Sequence, residues 1–96
     1  MIPNYRTVTI SADANQNIVP LIYNILKEEG YRTAHFTLDF IGFEATAGTS
    51  FKINGNPLKV PSTNKFYTPY GDDSFLSIYS VTFDNAINGV DFWVIY

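Results

Sequence analysis

Gly48-Thr49-Ser50-Phe51-Lys52-Ile53-Asn54-Gly55-Asn56-Pro57-Leu58-Lys59-Val60-Pro61 is the stretch that decides the fold. Phe51-Lys52-Ile53 and Leu58-Lys59-Val60 are short strand-forming runs around Asn54-Gly55, a dipeptide that readily takes the positive φ angles of a tight turn. A β-hairpin is therefore predicted here. Pro57 has no N–H to give to a ladder, so it shortens the second arm or sends it to a sheet edge. Ala47-Gly48-Thr49 reads as a turn. Pro61 opens a loop to Pro69 that carries the aromatic pair Phe66-Tyr67.

On the N-terminal side, Tyr31 to Phe43 sets Ala34, Phe36, Leu38 and Phe40 in alternation against His35, Thr37, Asp39 and Ile41, the pattern of a half-buried strand, with Gly42 marking a bend or bulge. On the C-terminal side, Tyr70-Gly71-Asp72-Asp73 is a turn before Ser74 to Phe83, where Phe75, Tyr79, Val81 and Phe83 share a face. Asn85 to Gly89 is a further turn-forming link. The closing Val90-Asp91-Phe92-Trp93-Val94-Ile95-Tyr96 is apolar on both faces, which suits a covered central strand or an edge paired with another subunit.

The first third differs. Tyr5 to Ile10 alternates, with Arg6, Val8 and Ile10 on one side, and predicts a first strand. After the polar run Ser11 to Asn17 comes the one helix, over Ile18 to Gly30, with Pro20 in its first turn, an apolar stripe of Leu21, Ile22, Ile25 and Leu26, and Gly30 placed to end it. The fold class that follows is mainly β (α+β): a small antiparallel β-sandwich or barrel with one short N-terminal helix. It is read as a single domain over residues 1–96, with strand and helix at about 5–30 and the β-sandwich portion at about 31–96.

Composition narrows the function. The chain has 96 residues, 46% apolar and 17% aromatic, with only 16% charged; ordinary soluble domains carry about 25% charged residues, so disorder is excluded. A chain this short buries roughly 60 to 65% of its unfolded surface. With 7 Tyr, 8 Phe and one Trp, apolar surface is expected to be left over for a partner. Six cations against nine anions give a net charge of −3. Arg6, Lys27, Arg32, Lys52, Lys59 and Lys65 form no run or stripe, so neither nucleic acid nor a membrane is an expected partner. No cysteine is present, which removes thiolate metal sites and thiol nucleophiles. The start Met1-Ile2-Pro3-Asn4-Tyr5-Arg6 has no secretion-signal pattern, and the protein is expected to be made in a cytoplasm.

No catalytic, metal or cofactor site is predicted. His35 lies four residues from Asp39 on the same strand face, about 13 Å away at the usual strand rise, so the two cannot pair. No nucleophile-elbow or glycine-rich loop accompanies them. Asp72, Asp73, Asp84 and Asp91 read as solvated turn and strand residues rather than Ca²⁺ ligands or a glycosidase pair. Phe66, Tyr67 and Tyr70, close in sequence with Asn64 and Thr68, form a candidate platform for stacking on sugar rings.

The order Phe40-Ile41-Gly42-Phe43, Gly48 to Gly55, Leu58-Lys59-Val60-Pro61, Tyr67-Thr68-Pro69-Tyr70 and the terminal Ile95-Tyr96, about the last 60% of the chain, resembles small virion proteins of tailed bacteriophages. The resemblance implies a non-enzymatic structural role in capsid decoration, a head fibre or the tail, and a location in the virion. Taken with the apolar surface expected to be left over, it leads to the expectation of a homo-oligomer, with a trimer as the working number, docked on other virion proteins such as the major capsid protein. Ile22, Ile25 and Leu26 on the helix, or Trp93 and Ile95 on the last strand, are then the expected subunit contact. The competing expectation is a monomeric carbohydrate-binding module that uses Phe66, Tyr67 and Tyr70.

Overall fold

The computed structural model describes residues 5–28, 37–68 and 77–96. In chain order the elements are β1 (Tyr5–Ala12), α1 (Val19–Glu28), β2 (Phe40–Glu44), β3 (Ser50–Ile53), β4 (Asn56–Lys59), β5 (Lys65–Tyr67), β6 (Val81–Phe83) and β7 (Ile87–Ile95). Over the described residues the protein is mainly β, with two antiparallel sheets and one short helix: a four-stranded sheet in the order β1-β7-β2-β5 and a three-stranded sheet in the order β4-β3-β6.

The hairpin forms where its sequence places it. Ile53 pairs with Asn56 across a two-residue turn, and Asn54 and Gly55 both have positive φ, 51° and 83°, the pair of angles that matches the twist of the flanking strands. Pro57 sits on β4, the edge of its sheet, where a missing N–H costs no ladder bond. β1 also matches its alternation, with Val8 and Ile10 buried and Tyr5, Thr7 and Thr9 exposed. It runs two residues further than expected, to Ala12.

Asn17 and Asn54 do more than shape turns. The Asn17 carboxamide oxygen caps α1 by accepting from the Val19 N–H at 3.1 Å, and it also accepts from the Val81 N–H at 3.0 Å. Its amide nitrogen donates to the Tyr79 carbonyl at 3.0 Å. Asn54 accepts from the Tyr79 and Ser80 N–H groups at 3.0 and 3.2 Å and donates to the Ser77 carbonyl at 2.9 Å. Between them the two side chains satisfy backbone groups that have no strand partner, each such bond contributing about 1 kcal/mol.

Several expectations need correction. Phe66 and Tyr67 are not in a loop: Lys65–Tyr67 is β5, and it pairs with Glu44, Phe43 and Gly42 of β2. The strand expected to end near Phe43 changes phase before it does so. Leu38 is buried and bridges Ile78, the chain bends at Asp39, and Ile41 and Phe43 then point inward while Phe40 is only half-buried. One bend thus puts Ile41 on the face opposite to the one its alternation assigns. A similar shift separates Ile78 from Val81, so Tyr79 is exposed rather than aligned with Val81 and Phe83. Finally, the buried stripe of α1 is Val19, Ile22, Tyr23 and Leu26, with Leu21 and Ile25 half-buried. Positions 29–36 and 69–76, which carry His35, Tyr70, Asp72, Asp73 and Phe75, lie outside the described residues.

The core is a ring cluster with an aliphatic surround. Phe43 of the four-stranded sheet meets Phe51 and Phe83 of the other sheet at centroid distances of 5.1 and 5.2 Å, both edge-on, and Phe92 of its own sheet at 5.3 Å. Such edge-to-face pairs add about 0.5 to 1.5 kcal/mol each beyond the area they bury. Val8, Ile10, Ile22, Leu26, Ile41, Ile53 and Val94 fill the space around them, all at 3% exposure or less. β7 is an interior strand of its sheet rather than an edge, with Trp93 and Ile95 on its outer face only half-buried, and it begins at Ile87. Gly89 is not part of a turn: with φ at 62° it belongs to a bulge in which Ser11 faces Asn88 and Gly89. The Gly89 N–H donates to the Ser11 hydroxyl at 2.8 Å.

Candidate functional site: an aromatic sheet face

The face of the four-stranded sheet turned away from the core carries the feature that folding alone does not require. Alternation sends Trp93 and Ile95 of β7, Phe40 and Gly42 of β2, and Tyr67 of β5 to this side. The registers Thr7↔Trp93, Trp93↔Gly42 and Gly42↔Tyr67 make one transverse row, and Tyr5↔Ile95↔Phe40 makes the next.

Gly42 is what lets the rings come together. A Cβ there would lie 2.6 Å from Tyr67 Cδ1 and 3.0 Å from Cε1, so the phenol ring rests directly against the strand backbone. Gly42 was expected to mark a bend or bulge; it lies instead in a regular strand, and the missing side chain makes room for a neighbour's ring. Tyr67 stacks with Trp93 at 5.8 Å and 25°, and with Phe40 at 6.3 Å and 27°. Tyr67 is 49% exposed and Trp93 and Phe40 are half-buried. A polar rim continues the face. Thr9 donates to Asp91 at 2.5 Å, and Lys65 pairs with Glu44 at 3.6 Å.

The residues expected at a subunit contact separate into two groups. Ile22 and Leu26 are fully buried in the protein's own core and leave no surface for a second copy, which corrects their assignment; α1 spends its apolar stripe on covering the sheets. Ile25, Trp93 and Ile95 are half-buried, the last two on the aromatic face. The expected sugar platform also divides. Phe66 points to the core side, where it meets Phe51 at 4.8 Å and Phe43 at 5.6 Å, and Tyr67, its neighbour on β5, points to the opposite side. Tyr70 lies outside the described residues. Sequence reading thus found Tyr67 and Trp93 under two different hypotheses, and missed that Gly42 and Phe40 join them.

Burial also bears on the expectation of leftover apolar surface. Among the described residues the large hydrophobic side chains that stay exposed are all tyrosines: Tyr5 at 73%, Tyr79 at 58% and Tyr67 at 49%. Among the described residues every Val, Leu and Ile is buried or half-buried, Ile95 on the outer face being half-buried, and the large side chains left exposed are amphipathic.

The Tyr23 hydroxyl donates to the Thr37 carbonyl; burial, with the Asp39 charge adding to it, pushes the phenol up to about 12. Asp84 and Asp91 are exposed. Among the described residues no three His, Cys, Asp or Glu side chains gather as a metal site would require. An open depression of about 430 Å³ is lined by Glu44, Ala45, Thr46, Thr63, Asn64 and Lys65. No family model matches the chain, and no curated protein or solved structure does.

Proposed function

We propose that this chain is a non-enzymatic structural module of a bacteriophage virion, of the capsid-decoration or head-fibre kind, and that its working surface is the aromatic outer face of the four-stranded sheet. The observation that carries the reading is the cluster of Phe40, Tyr67 and Trp93 over Gly42, three rings held against a sheet backbone on the side away from the core. Rigid aromatic anchors with a polar rim are what a docking surface needs, because little side-chain freedom is lost on contact. The virion assignment itself rests on the sequence resemblance carried by Phe40-Ile41-Gly42-Phe43, Gly48 to Gly55 and the terminal Ile95-Tyr96. The two sheets are read as the leaves of a small β-sandwich, joined through Phe43, Phe51 and Phe83. Other virion proteins, the major capsid protein among them, are the proposed partners, and self-association is the proposed mode of display.

Quantitative mass spectrometry of purified particles made with the wild-type chain and with Trp93→Ser tests this. The expected result is many wild-type copies per particle and a loss of at least tenfold for a variant whose circular dichroism stays native. A chain found only in the soluble lysate, or a folded variant incorporated as well as wild type, would overturn the reading.

A further inference from the structure

We infer that the Phe40–Tyr67–Trp93 face is a stacking site for an uncharged saccharide chain. The inference rests on the reading of this face as the working surface, and it names the chemistry of the occupant. Three observations converge.

The first is support from beneath. Tyr67 lies on the Gly42 backbone and its ring plane is within 27° of both neighbours, so the rings are set before anything binds and little ordering is needed. The second is the kind of surface left uncovered. Phenylalanine and aliphatic side chains supply the interior, whereas the exposed large side chains are tyrosines, whose hydroxyls stay hydrated when the ring is bare. A pyranose, with C–H groups on its ring faces and hydroxyls around its edge, complements both parts of a tyrosine surface.

The third observation is the sign of the rim. Thr7 lies opposite Trp93, and two pairs along the strands, on the same face, Asp91 accepts from Thr9 at 2.5 Å, which orients the carboxylate and leaves further lone pairs for ligand hydroxyls. Glu44 is the other rim carboxylate, and Lys65 beside it at 3.6 Å is already engaged. Among the described residues the rim carries the carboxylates Asp91 and Glu44, with Lys65 paired to Glu44, a charge pattern that favours a neutral glycan over phosphate, sulfate or sialic acid polymers.

Trp93 is the chain's one tryptophan, so its fluorescence reports on this face alone. The test is titration of the purified full chain with chitohexaose, cellohexaose and maltohexaose, with heparin as the charged comparison. The expected result is a saturable change in Trp93 emission with at least one neutral hexaose and none with heparin. Affinity should fall at least tenfold in Tyr67→Ser and in Gly42→Val, and stay unchanged in Tyr79→Ser, which lies outside the platform. Circular dichroism checks each fold, and Tyr67→Ser carries the test where Gly42→Val does not fold. No response to any of the three sugars overturns the inference, as does binding that survives Tyr67→Ser. If sugars fail while purified virion proteins still shift the Trp93 emission, the docking face stands and its occupant is a protein. If neither shifts it, both readings fall.

Discussion

On β7, Phe92 and Val94 are sealed in the core, while Trp93 and Ile95, one position away, remain half-exposed on the outer face. The same alternation divides β5, where Phe66 joins the core rings and Tyr67 lies outside on Gly42. Because the two faces come from alternate residues of the same strands, substitutions one position apart should separate stability from recognition. The inner face is close-packed and intolerant of lost volume. The outer face is supported by backbone and touches solvent.

The strongest challenge to this contrast is on the inner face. Phe43 contacts Phe51, Phe66, Phe83 and Phe92, so Phe43→Ala is expected to cost about 3 to 5 kcal/mol in denaturant unfolding. The equivalent truncation outside, Tyr67→Ser, should cost less than about 1 kcal/mol. Equal losses would erase the distinction.

The next effect is at the edge of the core. Asn54→Ala strips three side-chain hydrogen bonds from residues 77–80 and leaves alanine at a φ of 51°. A loss of about 2 to 3 kcal/mol is expected in the same unfolding measurement. Asn54→Gly, which relieves the backbone strain without restoring the bonds, should recover only part of it.

The smallest effect is pH-dependent. With its pKa raised to about 12 from the ordinary 10, the Tyr23 phenol holds its proton more tightly folded than unfolded. Its contribution is therefore complete below pH 10 and is lost as pH rises through about 12. Tyr23→Phe should cost about 1 kcal/mol at neutral pH through the lost bond to Thr37, and should flatten the alkaline fall in stability. An unchanged alkaline profile would show that Tyr23 does not govern that window.

The elements that were legible in the sequence are those whose conformation is set locally. Asn54-Gly55 dictates its own turn, Val8 and Ile10 alternate within one strand, and Pro20 with the apolar run after it marks a helix start. What could not be read depends on partners distant in sequence. The bend at Asp39 that reverses the phase of Ile41 follows from Leu38 bridging Ile78, forty residues away along the chain. Lys65–Tyr67 becomes a strand because β2 offers an edge. For the candidate site, Tyr67 and Trp93 were visible as aromatic residues, yet their meeting over Gly42 requires the registers of two strand pairs at once. A glycine inside Phe40-Ile41-Gly42-Phe43 was the available signal, and close approach of a ring was the reading it needed.

The account's central claim is that one copy closes its own core and leaves the aromatic face for an occupant. Acrylamide quenching of Trp93 tests this most directly, in the free chain and then with a saturating neutral hexaose or purified virion particles. The prediction is partial quenching of the free chain and clear protection in the complex. A Trp93 already shielded in the free chain, or equally open to quencher with every occupant, would contradict it.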